Sequence, residues 1–544
     1  MATSEKVWKL HQYIYRELKS RAESLESPSI EYTSYEKNQR DYACRNFYNS
    51  SINELFSSIR KSNVVFLGDF HSFDQNSRNL ERLTRELLKE QNQFTIGVEL
   101  VDRSQQYAIE LYLNHHISEL EFLEEIEYHK TWRFPWSYYR PFFIMAKEYN
   151  LSIIALNSTG TLEERDEVAS DIIYQELIKE NTKRLLILFG ELHIVPNKLP
   201  LKLKNKIKPH KKNYHSTIIH QNLDEVFWKI HEVDIERYNQ IVKFNDSEFS
   251  LHTAPPWIKY ESMIYWYENL SDDPEFELHD YIFNTGILNL HSNVLEDFIF
   301  LCHKIIETLG FSITDKQIED INLYEHQNLG LISDKIDNLS CPDLRELYKN
   351  LMIRGKVFKI PFTNSYYCSS YSINRISTLC GLHIHDIVIK KSFPDYENLL
   401  ISKNTEEKFI FFIKQHAVAY LSSKIINPYR KCDLYLDFKE KVFFGQESKE
   451  NLEIFKTTIR VIENNPPNPL NYEIDKIQTH ESACNLGFAF GEILYDDFLI
   501  QGSRFFADLV DYLFNKDFTY TTFKKKIGIV FPKNKLHKHK KRMF

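Results

Sequence analysis

The chain has 544 residues and an ordinary globular composition, with 42% hydrophobic and 26% charged residues. This length is enough for about two to four domains that each bury a hydrophobic core. The net charge of -8 leaves no global basic field, so we do not expect the chain to bind DNA.

The seven cysteines are scattered along the chain, and no two of them form a Cys-x-x-Cys pair. This spacing argues against a disulfide framework or a zinc knuckle and indicates reduced thiols. The N-terminal residues lack the apolar segment of a signal peptide, and no apolar stretch reaches the roughly 18 residues of a transmembrane helix. We therefore expect a cytoplasmic protein.

The first 60 residues are charged and have the apolar spacing of a helical extension. From 61 to 240, short apolar strands alternate with amphipathic helices, one of which opens with Thr161 and Glu164 in capping-box spacing. The predicted strands cover 64–67, 94–98, 152–156, 185–189 and 216–220. Such alternation predicts an α/β domain with a parallel sheet flanked by helices.

Residues 255–544 lack this alternation, and Pro255-Pro256-Trp257 marks the boundary. Most segments have helical spacing, so we predict a mostly α-helical domain of unknown function. The predicted helices include 294–309, 316–323, 342–352, 406–425 and 480–514. Phe409 to Ile426 is apolar nearly all round, which predicts a central buried helix.

Two smaller features of this domain carry predictions. Gly487 and Gly491 are four residues apart, which favours the close approach of another helix. His383 and His385 are two residues apart and are predicted to share one face of a strand. Metal binding by this pair needs a third ligand, and the sequence does not indicate one.

Two similar motifs follow predicted strands. The segments ending at His71 and His193 both contain an apolar run, Gly, an acid, an apolar residue and His. A third strand, 94–98, ends in Glu99. Because ligands bind beyond the carboxyl ends of parallel strands, we expect these three residues to converge in one pocket. The inner wall of this pocket is predicted to contain Asp69, Asn157 and Glu191.

These residue types suit several kinds of chemistry. His nitrogens and carboxylate oxygens bind zinc, manganese or iron. An axial His or Tyr can also bind the iron of haem. A histidine and a carboxylate can also perform acid–base catalysis without a metal. The structural alternative is that His71 and His193 bond loop carbonyls while the acids, including Glu99, cap helices.

Two more residues are candidates for the site. Arg140, next to two tyrosines, could bind an anionic substrate, although a solvated surface position is equally consistent with the sequence. Asp166 lies near the predicted start of a helix, where the helix dipole favours an acid in any case.

Six short motifs, taken in order, resemble the ChaN-like family of the haem-binding uptake, Tiki superfamily. They are Leu-Gly-Asp-Phe-His71, Gly-Val-Glu99, Trp-Ser-Tyr-Tyr-Arg-Pro141, Ile-Ala-Leu-Asn157, Arg165-Asp166 and Phe-Gly-Glu-Leu-His193. The resemblance covers about residues 60–235 and implies an α/β fold. In the wider superfamily it implies a cleft whose paired Gly-x-x-His motifs and glutamate serve metal-dependent peptidases or erythromycin-esterase-like hydrolases. ChaN itself is associated with haem binding and iron uptake, often as a lipoprotein.

The leading hypothesis is a ChaN-like domain that binds haem, iron or another divalent-metal ligand at the strand ends. The metal ligands or catalytic residues would be His71, Glu99 and His193. The residues expected to bind the cofactor are Asp69, Arg140, Asn157, Asp166 and Glu191.

The rival hypothesis is a hydrolase that uses the same His-Glu-His set on an ester or amide, so enzyme activity is left open. A third is an interaction protein without catalytic activity. The expected partner is a small-molecule or peptide ligand, and a homodimer is one open arrangement.

Overall fold

The protein forms two compact units in the computed structural model. One comprises Tyr15–Asn289 with Met543–Phe544, and the other comprises Met1–Ile14 with Leu290–Arg542. The structure describes residues 3–25, 30–90, 93–132, 134–179, 184–210, 213–233, 240–269, 294–325, 328–402, 404–445, 447–463, 477–501, 511–532, 536 and 543.

Helices and strands alternate over most of the first unit. The helices up to residue 269 are α1 (Thr3–Leu25), α2 (Ile30–Cys44), α3 (Ile52–Lys61), α4 (Asp74–Lys89), α5 (Gln106–Leu113), α6 (Glu119–Glu125), α7 (Tyr128–Thr131), α8 (Trp136–Tyr149), α9 (Leu162–Leu177), α10 (Leu199–Ile207), α11 (Asp224–Val233) and α12 (Pro256–Asn269). The strands over this range are β1 (Tyr48–Asn49), β2 (Val64–Asp69), β3 (Thr95–Asp102), β4 (Ser152–Asn157), β5 (Leu185–Gly190), β6 (Ser216–Gln221), β7 (Ile241–Asn245) and β8 (Glu248–Leu251).

The strands form one eight-stranded sheet in the order β1-β7-β8-β6-β2-β5-β3-β4. All neighbours from β8 to β4 are parallel, which confirms the predicted α/β class. The sequence prediction ended the sheet at 216–220, but β7 and β8 continue it as an antiparallel hairpin, and β1 pairs with β7. The sheet is therefore mixed, because the short β7–β8 connection permits only an antiparallel pair.

Both faces of the sheet are covered by helices. Val65 and Leu67 of β2 lie in a cluster with residues of α4 and α8, whereas Val64 and Phe66 lie in a cluster with residues of α9 and α10. Successive side chains of a strand point to opposite faces, so these apolar strands are buried on both sides. Polar side chains from the strands are then expected at the strand ends.

The second unit is mostly helical, as predicted. Its helices are α13 (Val294–Leu309), α14 (Asp315–Glu319), α15 (Leu329–Asp337), α16 (Pro342–Ile353), α17 (Ile373–Ser392), α18 (Asn398–Ile401), α19 (Thr405–Ile426), α20 (Tyr435–Phe444), α21 (Lys449–Ile462), α22 (Ile477–Gln501) and α23 (Tyr520–Val530). It also contains a three-stranded sheet of β9 (Asn322–Glu325), β10 (Phe358–Ile360) and β11 (Ser365–Cys368) in the order β10-β11-β9.

The predicted buried helix is confirmed, because α19 is buried from Lys408 to Ile426. Two glycines of α22 allow this helix to approach closely. A Cβ atom at Gly487 would lie 2.7 Å from the carbonyl oxygen of Ile413, and one at Gly491 would lie 2.7 Å from that of Ala417. Since real Cβ atoms do not approach backbone so closely, glycine at these positions permits the observed packing.

Two predictions in this unit are corrected by the structure, and a third lies partly outside the described residues. His383 and His385 lie on α17 rather than on a strand, because this helix is buried on most sides and its apolar residues imitate the alternation of a strand. The helix predicted for 316–323 ends at Glu319, and β9 follows because it pairs with β11. Residues 502–510 of the predicted 480–514 helix lie outside the described part of the chain.

Two observations concern the cysteines and the membrane. All seven cysteines are free thiols in the structure. Among the described residues, no helix has both the length and the apolar character needed to cross a membrane.

Candidate functional site

Three neighbouring strands place the candidate residues at one edge of the sheet. Register pairs Asp69 at the end of β2 with Gly190 at the end of β5, and β3 lies on the other side of β5. His71 and His193 follow β2 and β5, and Glu99 is part of β3. The structure thus brings together His71, Glu99 and His193, which form the strand-end cluster with Asp69, Arg165 and Asp166.

His71 is oriented by one carboxylate and faces another. Its Nδ1 lies 2.9 Å from Oδ2 of Asp69, and its Nε2 lies 3.8 Å from Oε2 of Glu99. The side chain is 26% exposed, whereas those of Asp69 and Glu99 are buried. Burial acts to lower the pKa of His71, but the hydrogen bond to Asp69 and the charge of Glu99 outweigh it and raise this pKa.

His193 repeats this arrangement in the interior. Its Nδ1 lies 2.6 Å from Oδ1 of Asp166, and its Nε2 lies 3.8 Å from Oε1 of Glu99. Asp166 lies just after the first turn of α9, and this helix begins with the capping box of Thr161 and Glu164 that the sequence predicts. The side chain of His193 is only 3% exposed, so His71 is the histidine of the cluster that solvent reaches more easily.

Glu99 is the centre of the cluster. The Arg165 guanidinium donates a hydrogen bond to Oε1, and the backbone N–H of Gly190 donates one to Oε2 over 2.6 Å. Burial alone would raise the pKa of Glu99, but the charges of His71, His193 and Arg165 outweigh it and hold this pKa below its usual value. Glu99 is therefore a buried carboxylate with its negative charge compensated.

Gly190 leaves the space that the cluster occupies. A Cβ atom at this position would lie 3.1 Å from Oε2 of Glu99, 3.3 Å from Cδ2 of His193 and 3.5 Å from Nε2 of His71. A larger side chain would have to displace at least one of these groups. The glycine of the second Gly-x-x-His motif is thus explained by close packing of the three polar side chains.

An aromatic wall stands beside His71, and the sequence reasoning did not assign it to the site. The ring centroid of Trp132 lies 4.5 Å from that of His71, and the centroid of Phe134 lies 5.3 Å away. Phe134 stacks in turn on Trp266 at 4.7 Å. The run of Trp and Phe at 132–136 was the only sequence signal for this wall. It did not indicate which strand end the rings would reach.

Tyr139 and Arg165 were also missed as contributors. The hydroxyl of Tyr139 donates to Oδ2 of Asp69 over 3.1 Å, on the same carboxylate that orients His71. Arg165 stood in a motif that carried the resemblance, but it was not selected as a site residue. Its charge pairs with Glu99 across a long separation in sequence, so no local pattern indicates the contact.

The remaining predicted residues are divided between the cluster and other positions. Asn157 accepts a hydrogen bond from Arg165 over 3.3 Å, so it touches the edge of the cluster. Arg140 instead pairs with Glu119 of α6, and its side chain is half exposed.

Glu191 is buried near Asp69, and its Oε1 has no hydrogen-bond partner. Burial raises the pKa of Glu191 to about 8, and the negative charges of Asp224 and Asp69 act in the same direction against Lys259. This residue is therefore an acid that holds its proton near neutral pH.

The geometry suits ligand binding or proton transfer at Nε2 of the two histidines. In each case a carboxylate fixes Nδ1, which leaves Nε2 as the free nitrogen, an arrangement common to metal-binding and acid–base histidines. Imidazole is a common axial ligand of haem iron. His71 suits this role because its partly exposed ring lies beside apolar rings. A divalent cation between the histidines would compete with Arg165 for the Glu99 carboxylate.

One comparison with known protein families agrees with the sequence motifs. Residues 55–165 match the family model described as "Haem-binding uptake, Tiki superfamily, ChaN". A solved structure titled "Cofacial heme binding to ChaN of Campylobacter jejuni" is 15% identical, with 37% of this chain and 91% of that chain covered, and a TM-score of 0.26. No curated protein sequence matches the chain. Residues 55–165 thus resemble the ChaN family, as the motifs of the sequence predicted.

Proposed function

We propose that the protein binds haem at the strand-end cluster, with Nε2 of His71 as the iron ligand. The observation that carries this proposal is the environment of His71. Its Nδ1 is held by Asp69 and its side chain is partly exposed beside Trp132 and Phe134. The match of this segment to a haem-binding uptake family supports the same ligand.

The aromatic wall supports haem more than a small polar ligand. A porphyrin is flat and mostly apolar, and it is bound by apolar and aromatic contacts together with one or two axial ligands. Trp132, Phe134 and Trp266 offer successive ring contacts on the side of His71. Asp69 raises the basicity of the imidazole through Nδ1, which strengthens an imidazole ligand to iron.

Glu99 and His193 have a positioning role in this proposal. Glu99 lies within 4 Å of Nε2 of both histidines and is neutralised by Arg165. His193 is deeply buried, so it orders the base of the site rather than meeting the porphyrin. Asp166 and Asn157 then act indirectly, through His193 and Arg165.

A divalent metal held by His71, Glu99 and His193 is the second candidate. Two imidazoles that each face one oxygen of the same carboxylate favour it, because that donor set suits zinc, manganese or iron. Binding would require Arg165 to release Glu99, which makes this ligand less favourable than haem. A metal-dependent hydrolase would use the same residues and depend on the same rearrangement.

Haem titration of the purified full-length chain tests the proposal. We expect His71→Ala to change the Soret absorption of the complex and to weaken haem binding at least about tenfold, because the axial ligand is lost. Asp69→Asn should weaken binding by about 10- to 100-fold, because the hydrogen bond that orients the imidazole would be altered. The matched control is His215→Ala, which removes an exposed histidine of the same unit.

Three results would contradict haem binding at this site. They are a wild-type chain that does not bind haem, an unchanged spectrum in His71→Ala, and an equal loss in His215→Ala. Turnover of an ester or amide by the wild type, lost in His71→Ala, would favour the hydrolase. Circular dichroism of each variant separates these results from unfolding.

A further inference from the structure

A second cluster of potential ligands lies in the helical unit, outside the segment that matches the ChaN family. His416 of α19 and His480 and Cys484 of α22 offer ligand atoms that all lie within 4.8 Å of one another. Their exposed fractions are 9%, 4% and 8%, so all three are at least nine-tenths buried. We call these three residues the helical triad.

The packing of the two helices explains how the helical triad assembles. His480 and Cys484 are four residues apart, so they lie on the same face of α22. Gly487 lies one turn further along and lets α19 approach, because a Cβ atom there would be 2.7 Å from Cβ of His416. The close glycine contact thus places the imidazole of His416 beside that of His480, with ring centroids 5.4 Å apart.

His416 supplies an independent indication of a ligand. Both of its ring nitrogens are buried without a hydrogen-bond partner. Leaving a buried polar group unpaired typically costs about 1–3 kcal/mol, so native structures usually satisfy such groups. The other two members contact each other weakly, with Nδ1 of His480 3.5 Å from Sγ of Cys484.

A cavity of about 240 Å³ lies next to these side chains. His416, His480 and Cys484 line it together with residues such as Gln415, Arg430 and Phe488. This volume holds several water molecules or one small ligand. An ion bound by the three side chains would therefore have a free position on the cavity side.

We propose that His416, His480 and Cys484 bind one divalent transition-metal ion of the zinc class, with an open fourth position toward this cavity. Two imidazoles and one thiolate form a donor set that zinc prefers, and three protein ligands with one free position are typical of catalytic rather than structural zinc sites. Binding would displace the thiol proton of Cys484 and give His416 the partner that it lacks.

Cobalt(II) titration of the full-length protein tests this proposal, because a cobalt–thiolate bond has an intense near-ultraviolet charge-transfer band. The strand-end cluster contains no cysteine, so this band distinguishes the two sites. We expect the band to saturate at about one ion per chain and zinc to remove it by displacement. The thiolate band should be unchanged in His71→Ala, which alters only the other site.

Cys484→Ser should abolish the band, whereas Cys341→Ser, a cysteine of the same unit outside the cavity, should keep it. His416→Ala should weaken cobalt binding by more than about 100-fold, since even outer-shell partners change affinity by 10- to 100-fold. Circular dichroism identifies variants that do not fold.

The wild-type spectrum decides the question even if both variants of the triad unfold. A wild-type chain that binds cobalt without the thiolate band overturns the proposal. It is also overturned if Cys484→Ser folds and keeps the band, or if cobalt binding requires His71 instead.

Discussion

The strand-end cluster and the helical triad each contain two histidines, but they differ in whether the ring nitrogens have hydrogen-bond partners. In the strand-end cluster, carboxylates hold Nδ1 of His71 and His193, and Arg165 with the Gly190 N–H holds Glu99. In the helical triad, both ring nitrogens of His416 have no partner.

This difference indicates what each region requires for its stability. The charges of the strand-end cluster compensate one another within the protein, so it is pre-organised without a ligand. The helical triad leaves ligand atoms unpaired in a buried position, so an external partner would contribute directly to its stability. Removing a charge should therefore destabilise the strand-end cluster, whereas adding a metal ion should stabilise the helical triad.

The largest effect is expected from Glu99→Gln, which removes the central charge of the strand-end cluster. Arg165 would lose its buried ionic partner, and breaking such a pair typically costs 3–5 kcal/mol, so we expect a loss of about 3 kcal/mol in unfolding free energy. Hydrogen exchange of the β3 and β5 amides measures the change within this unit. Because the pKa of Glu99 is lowered on folding, its contribution is present at neutral pH and disappears as the pH falls through that value.

Glu119→Gln is the matched control, since Glu119 pairs with the half-exposed Arg140. Exposed pairs contribute about 0–1 kcal/mol, so this variant should remain close to the wild type. Equal losses in the two variants would show that Glu99 is not the charged centre of its region.

A smaller effect with the opposite sign is expected from Glu191→Gln near pH 6. The folded protein holds the proton of Glu191 to a pKa of about 8, whereas the unfolded chain releases it near 4.5. Between these values the folded state binds more protons, so wild-type stability falls as the pH rises. The variant cannot lose this proton, so it should gain about 2 kcal/mol relative to wild type at pH 6 and almost nothing at pH 4.

Urea unfolding at the two pH values measures this difference. A stability difference that does not vary with pH would mean that Glu191 titrates normally. It would then not be a buried acid that keeps its proton at neutral pH.

The smallest effect is expected from Gly487→Ala in the helical unit. The added Cβ would press on backbone of α19, and overpacking of this kind costs about 1–3 kcal/mol. The higher helix propensity of alanine returns up to about 1 kcal/mol, which leaves a net loss of about 1 kcal/mol. Displacement of His416 should also weaken cobalt binding in the titration described above.

Gly330→Ala is the control for this prediction, because Gly330 lies in α15 and a Cβ atom there would meet nothing within 4 Å. This change should be neutral or slightly stabilising, by up to about 1 kcal/mol. A neutral Gly487→Ala would mean that the two helices can separate without loss and that the helical triad is not rigidly held.

Much of the strand-end cluster was predictable because topology determines it. An apolar run that ends in Gly, an acid and a nearby His indicates a buried strand and its polar end, and parallel pairing collects such ends at one edge. His71, Glu99 and His193 were found in this way. Arg140 pairs with Glu119 in the structure, and the two tyrosines beside Arg140 in the sequence do not indicate this partner.

The helical unit was less predictable because its helices are buried on several sides. In such helices apolar residues occur at nearly every position, so the sequence loses the 3.6-residue period and can imitate a strand, as it did around His383. The buried helix α19 and the glycine contacts of α22 were still predicted, since an apolar run and paired small residues are local signals.

Local sequence patterns were enough to predict the α/β class of the first unit, the polar strand ends and the mostly helical character of the second unit. These properties follow from local periodicity and from the fixed geometry of parallel strands. Other contacts are visible only in the folded protein. Arg165 neutralises Glu99, Trp132 and Phe134 flank His71, and β7 extends the sheet. The contact of His416 with His480 and Cys484 is also visible only in the folded protein. Contacts between separate helices depend on packing that no single segment encodes.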